Sequence, residues 1–163
     1  MKPQTQDRVQ KSSHCAWQIH DHIVCPVKYR KGLLDADVTQ IIKETAGSIE
    51  ERYPIEMEAL GTDKNHIHVL CSVHLKVAPG RIVQLFKSIT AREVFRRRPD
   101  RKHELWGGEF WSDGYDVATV GERANWKMVE NDVHHQGDPK EDLHQLRLFY
   151  LFDTPSACGG VLH

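Results

Sequence analysis

Residues 55–71 constrain the fold more than any other stretch, because apolar and other residues alternate there twice: Ile55-Glu-Met-Glu-Ala-Leu60, then His66-Ile-His-Val-Leu-Cys71. Alternation at period two sends successive side chains to opposite faces of a strand. Residues 61–65, which include Gly61 and Asn65, are too short and too polar to do more than turn the chain back. An antiparallel pair is expected, and the rest of the chain must pack around it. On both sides the period changes to the helical value of about 3.6. Before the pair, Val38, Ile41, Ile42, Thr45, Ala46 and Ile49 recur at helical spacing over 35–52, with Asp35 placed as N-cap. After it, Pro79 and Gly80 open a second helix that carries Ile82, Val83, Leu85, Phe86, Ile89 and Val94 along one side.

A first strand is expected at His22-Ile-Val-Cys-Pro-Val-Lys28, where Pro26 suggests an edge or a bulge. A fourth is expected over 109–120, an aromatic and β-branched stretch entered through Gly107-Gly108. A third helix should run from about 122 to 136, ahead of Gly137 and Pro139. The order β-α-β-β-α-β is that of an α+β, ferredoxin-like (split β-α-β) antiparallel sheet, here with one helix added at the C-terminal side. With 163 residues and 39% hydrophobic content the chain suits one core. The division expected is a loose polar segment over 1–13, a folded domain over 14–149 and a tail over 150–163.

No apolar run is long enough to span a bilayer and no leader is evident, so a cytoplasmic protein without membrane contact is expected. Cys15, Cys25, Cys71 and Cys158 form no CxxC pair and are expected to be reduced thiols. The net charge of −1 gives no overall attraction to nucleic acid, but its distribution is uneven. Between Arg81 and His103 eight cations face two acids, so this window carries +6 and the remainder −7. Lys87, Arg92, Arg96, Arg97 and Arg98 are the candidate phosphate contacts, and a solvated helix face explains the same pattern.

His66 and His68, two apart on a strand, project from one face and could share a divalent ion, although by itself such a pair is more often two exposed histidines on a strand's wet face. Asp63 in the turn could add a carboxylate, although turns favour Asp for their own reasons. Asp132 and Gln136, four apart, share a helix face with His135 and Met128. Oxygen ligands of this kind suit Mg²⁺ or Mn²⁺, although by spacing alone a solvent-exposed polar face is the commoner reading. His14, His20, His22 and His134 show no metal spacing and are expected at the surface or in capping roles. Trp106 and Trp111, beside Gly107-Gly108, could stack on unpaired bases or pack, while Phe110 is expected in the core.

Taken together, Asp63-Lys-Asn-His66-Ile-His68, Phe86-Lys-Ser-Ile-Thr-Ala-Arg92, Gly107-Gly-Glu-Phe-Trp-Ser-Asp-Gly-Tyr115 and Val117-Ala-Thr-Val-Gly121 resemble the single-tyrosine HUH transposases of small bacterial and archaeal insertion sequences. The resemblance covers about residues 14–149, in the family's order and spacing. It implies a ferredoxin-like domain, usually a homodimer, that binds DNA hairpins at transposon ends and cuts single strands with a divalent metal. By the same resemblance His66, His68 and Gln136 are metal ligands, and the nucleophilic tyrosine belongs one turn before the glutamine, where this chain has Asp132.

That departure has a chemical consequence. A tyrosine hydroxyl attacking a phosphodiester leaves a 5′-phosphotyrosine and a free 3′-hydroxyl, which keeps the bond energy for rejoining. A carboxylate would instead give an acyl phosphate open to water. Tyr29, Tyr53, Tyr115 and Tyr150 stand elsewhere in the sequence. Strand cleavage and transfer is therefore expected to be impaired in this copy, and an inactive, repurposed hairpin-binding protein is the competing account. A hydrolase in which Asp132 joins the metal shell and water attacks is chemically permitted. An RNA-binding module of the same strand order lacks its aromatic signature here.

Overall fold

The computed structural model describes residues 10–120. In chain order the elements are the short strands β1 (Gln10–Ser12) and β2 (Cys15–Trp17), strand β3 (His20–Pro26), helix α1 (Ala36–Arg52), strands β4 (Ile55–Thr62) and β5 (His66–Val73), helices α2 (Pro79–Arg97) and α3 (Pro99–Glu104), and strand β6 (Asp116–Val120). The expected helix over 122–136, with Asp132 and Gln136, and the tail over 150–163 lie outside the described residues, as do Cys158 and Tyr150.

The four long strands form one antiparallel sheet in the order β4-β5-β3-β6. This is the ferredoxin-like arrangement, since each helix leads from a central strand to the strand on the outside of its neighbour. The Ile55–Cys71 hairpin pairs as its alternation requires, with Met57 opposite Cys71 and Leu60 opposite Val69, and a bulge between Met57 and Ala59 adjusts the register.

Both long helices form where the apolar spacing places them. The Asp35 carboxylate accepts from the Val38 N–H at 2.9 Å, which opens α1, and Pro79 stands in the first turn of α2. Val38, Ile42 and Ile49 of α1 and Ile82, Val83 and Phe86 of α2 join Ile23, Cys25, Ile67, Val69 and Cys71 in one buried core. The helices thus cover the odd-numbered face of β3 and β5. His22 and Val24 on β3, and His66 and His68 on β5, take the opposite face. None of the helices among the described residues is long and apolar enough to cross a membrane. Cys15, Cys25 and Cys71 are free thiols.

Three local expectations change. Gln10–Ser12, within the stretch expected to be loose, pairs with Cys15–Trp17, so backbone hydrogen bonding orders polar residues that have no core to join. The first strand runs over His20–Pro26 rather than 22–28: Pro26 brings no N–H, and after Val27 a 3-10 turn over Lys28–Arg30 takes the chain out of the sheet. The fourth strand is confined to Asp116–Val120. Ahead of it Gly107 and Gly108 adopt φ of 89° and 71°, which turns the chain, and Trp111 makes only a single bridge to Val27.

Candidate functional site

The pleat and register of β3 and β5 bring three imidazoles together. Val24 lies opposite His68 and His22 opposite Leu70, so His22 and His68 are diagonal neighbours on one face. Their rings stack at 5.2 Å between centroids, and His22 Nε2 lies 3.0 Å from His68 Nδ1. His66 stands edge-on to His68 at 5.0 Å. His66 Nδ1 is 2.7 Å from Asn65 Oδ1, and the Asp63 carboxylate lies 3.9 Å from the same nitrogen. Asp63 therefore approaches the Nδ1 edge of His66, and its other oxygen accepts from the Lys64 N–H at 2.6 Å.

Burial sets the protonation of this cluster. It holds His68 down at about 3, helped by neighbouring His22 and His66, and His22 at about 4. His66 is also lowered, first by burial and then by the nearby Arg30 cation, against an opposing pull from Asp63. The imidazoles of His22 and His68 are thus neutral at physiological pH, the form in which a ring nitrogen offers a lone pair to a metal. His68 Nε2 is buried and has no hydrogen-bond partner among the described residues. An orphaned imidazole nitrogen beside a second imidazole is a donor pair that suits a divalent metal ion, and a hard ion such as Mg²⁺ or Mn²⁺ would need oxygen ligands beside it. Among the described residues no three His, Cys, Asp or Glu side chains are grouped to hold a metal, and Gln136 lies outside them.

His20 and His22, expected at the surface, are instead buried in β3. His20 Nδ1 pairs with Glu58 at 2.8 Å across the sheet, and His22 pairs with His68. The alternation His20-Asp-His22 puts both rings on one face, but only the β3–β5 register shows that this face is the one His68 occupies. Asp21, on the other face, is fully buried. Burial pushes its carboxyl up, while Thr119 Oγ1 donates to it at 2.8 Å.

The basic stretch divides in three. Lys87 is turned inward: its ammonium donates to the carbonyls of Ser112 and Gly114 at 2.8 Å, lies 5.0 Å from the Tyr115 ring centroid, and is lowered by burial. Arg96 bonds Glu93, Arg97 bonds Glu44 and Glu93, and Arg98 bonds Asp37 and Asp100. Arg101 meets Asp35 and Glu104. Acids from α1 and its N-cap, and from α2 and α3 themselves, thus answer much of the positive field that the sequence concentrates here. Arg92 is exposed, and no ion pair among the described residues involves it.

The three aromatic residues of the Gly107-Gly108 region part ways. Phe110 and Trp111 are buried, and Trp111 Nε1–H donates to Thr90 Oγ1 at 3.0 Å. Trp106 is 87% exposed. Its carbonyl accepts from Tyr29 Oη at 3.2 Å, and Tyr29 and Arg30 both hold left-handed backbone, with φ of 58° and 53°. For residues other than glycine each such conformation costs on the order of 1–3 kcal/mol.

Known proteins share both the sequence pattern and the fold. The family model described as "Transposase IS200 like" matches residues 15–136. The ISDra2 transposase TnpA of Deinococcus radiodurans is 29% identical over 130 residues, which cover 80% of this chain and 92% of that protein. The transposase for insertion sequence element IS200 of Salmonella typhimurium is 23% identical over 138 residues, covering 85% and 90%. Among solved structures, a transposase-type protein from Deinococcus radiodurans superposes with a TM-score of 0.64 at 23% identity, over 78% of this chain and 98% of that one. A REP-associated tyrosine transposase bound to a REP hairpin superposes with a TM-score of 0.53 at 10% identity, over 82% and 74%. With a family model spanning most of the chain and the strand order, helices and paired histidines in place, this protein belongs to the IS200-like transposase family.

Proposed function

We propose that the chain binds single-stranded DNA hairpins at insertion-sequence ends and holds Mg²⁺ or Mn²⁺ through His66, His68 and Gln136, with Asp63 supporting His66. The observation that carries this reading is the buried, unpartnered Nε2 of His68 next to the His66 ring, on the sheet face away from both long helices. A bound divalent ion would draw negative charge from the scissile phosphate. The protein's own residues do the rest. His22 positions His68: when His68 Nδ1–H donates to His22 Nε2, the lone pair of His68 stays on Nε2. Asn65 fixes the His66 ring in the same way, by accepting from its Nδ1–H.

Lys87, Arg92, Arg96, Arg97 and Arg98 are the proposed DNA contacts of the helical side. Of these Arg92 is the most available, while Lys87 shapes the loop over 112–114. The solved relative bound to a REP hairpin supports a hairpin as partner. A homodimer in the cytoplasm is the assembly and location proposed.

Asp132 decides between activity and its loss. With a carboxylate four residues before Gln136 in the sequence, strand transfer through a phosphotyrosine is not available to that position. We therefore favour a chain that binds hairpins and transfers strands poorly or not at all. The test is a nicking and transfer assay on hairpin-flanked single strands with Mn²⁺, run beside hairpin binding. Binding with little or no nicking is expected. Efficient nicking with a covalent protein–DNA product would show another nucleophile at work, and absence of hairpin binding would remove the reading.

A further inference from the structure

The strained turn at Tyr29–Arg30 lies between two others. On one side Val27 N–H donates to Asn65 O at 2.9 Å and Leu34 N–H to Lys64 O at 3.1 Å, which fixes the turn against residues 63–66 and brings Arg30 within electrostatic reach of His66. On the other side Tyr29 Oη holds the Trp106 carbonyl, and the Lys31 ammonium bonds the Glu104 carbonyl. The Trp106 turn is itself built to hold its shape. Leu105 is buried beneath it, Gly108 N–H closes it onto the Leu105 carbonyl at 3.1 Å, and the Lys102 chain packs where a Cβ on Gly108 would stand, 3.3 Å away. A rigid mount thus presents a bare indole to solvent.

The carboxylates near it, Glu104 and Glu109, are taken by Arg101 and Lys28, which leaves cations over. Arg30, Lys31, Lys64 and Lys102 are exposed, and among the described residues no ion pair joins any of them to a carboxylate. Arg96, Arg97, Arg98 and Arg101 all have acid partners. Uncompensated cations beside an exposed aromatic ring match a chain of phosphates bearing flat, unpaired bases, for which stacking is tolerant of sequence.

The geometry points to a single-stranded DNA track that leaves the histidine site over Arg30 and Lys64 and ends on the Trp106 ring, which stacks on an unpaired base. This track rests on the DNA-binding reading above and adds to it a place for the unpaired strand. The backbone cost at Tyr29 and Arg30 is consistent with a turn kept for its side chains.

The probes are oligothymidylate and an abasic oligomer of equal length, which keeps the phosphates and removes the bases, titrated by fluorescence anisotropy against the full chain. The unmodified protein should bind oligothymidylate more tightly than the abasic strand. Trp106→Ala should weaken oligothymidylate by about 5- to 150-fold, the range expected of one stacked base, and leave the abasic strand unchanged. Trp106→Phe should retain most of the affinity. Arg30→Gln and Lys64→Gln should act on both probes and flatten the dependence of log K on log salt by about 0.7 for each phosphate left without its cation. Far-UV circular dichroism checks that each variant folds, which an exposed ring leaves undisturbed.

Equal affinity of the unmodified protein for both strands, or equal loss on both strands from Trp106→Ala, overturns the stacking site. So does a change of sedimentation from dimer to monomer on Trp106→Ala, which would assign the ring to a subunit interface. If hairpins bind while oligothymidylate ignores Trp106, only the track fails. If hairpins do not bind either, the broader reading fails with it.

Discussion

His22 Nε2 lies 3.0 Å from His68 Nδ1 on the adjacent strand, so two neutral, buried imidazoles share one hydrogen bond and one orientation. Removing the acceptor should loosen the ring that the metal reading depends on. His22→Ala is expected to lower Mn²⁺ affinity about 10- to 100-fold, as the loss of an orienting partner does at metal-binding histidines. His22→Gln, whose Oε1 can accept the same proton, should recover part of it. Calorimetric titration of Mn²⁺ into the three proteins and into His66→Ala checks both points. Unchanged affinity in His66→Ala would discard the metal site, whereas unchanged affinity in His22→Ala alone would discard only the positioning role.

Stability should fall as pH drops below neutral in the metal-free protein. The folded values of His22 and His68 lie at about 4 and about 3, below the ordinary 6.5. Between those limits the unfolded chain takes up protons that the folded chain refuses, so stability is complete above about 6.5 and declines toward pH 4. By pH 5 the two histidines together should have removed roughly 2–4 kcal/mol, the upper figure applying if they titrate independently. Urea unfolding at a series of pH values measures this. The decline should shrink in a His22→Phe variant, and a profile that stays parallel to the parent would argue against it.

Thr90 joins the second helix to the loop that follows it, because its hydroxyl donates to the Phe86 carbonyl at 2.6 Å and accepts from Trp111 Nε1–H at 3.0 Å. Thr90→Val keeps the shape but leaves the buried indole N–H without its acceptor. A loss of about 1–3 kcal/mol in denaturant unfolding is expected. A change below a few tenths of that size would mean that another acceptor reaches the indole.

On the basic surface, ion pairing separates residues that the sequence treats alike. Arg92→Gln should flatten the salt dependence of hairpin binding by about 0.7–0.9, the effect of one neutralised phosphate, with little change in stability. Arg98→Gln, which abandons Asp37 and Asp100, should alter that slope less. Equal slopes for Arg92→Gln and the parent protein would return this part of the helix to an ordinary solvated face.

Under the proposed role of position 132, Asp132→Tyr should give a metal-dependent covalent link to a hairpin-flanked single strand, seen as a shifted band on a denaturing gel, while the unmodified protein gives none. The incoming hydroxyl would stand four residues before Gln136 in the sequence, and covalent capture requires it to reach the phosphate in line with the leaving oxygen. No band despite intact hairpin and Mn²⁺ binding would mean that a tyrosine at position 132 is not enough for cleavage.

The hairpin, both long helices and their core-facing positions were legible because alternation and helical spacing are local signals, and here they agree with the packing. The His66 and His68 pair was legible for the same reason. His22 was not: its spacing to His68 exists only across the β3–β5 register, which no local pattern encodes. The ion pairs of Arg97 with Glu44 and of Arg98 with Asp37 join residues 53 and 61 positions apart, so a window of sequence shows the cations without their partners. The aromatic stretch before β6 read as strand because strand propensity follows burial, and Phe110 and Trp111 are buried without a continuous strand partner.

Two neighbouring residues of this chain stand where glycine would be the cheapest occupant, and neither is glycine. An engineer seeking a hardier protein would begin with Tyr29→Gly and Arg30→Gly, since both residues already hold left-handed backbone and a hydrogen in place of Cβ relieves it. The same exchanges would strip away the phenol that holds Trp106 and the guanidinium near His66. At this turn, gains in robustness and retention of recognition chemistry are opposing goals, and a stability screen blind to DNA would select for the wrong one.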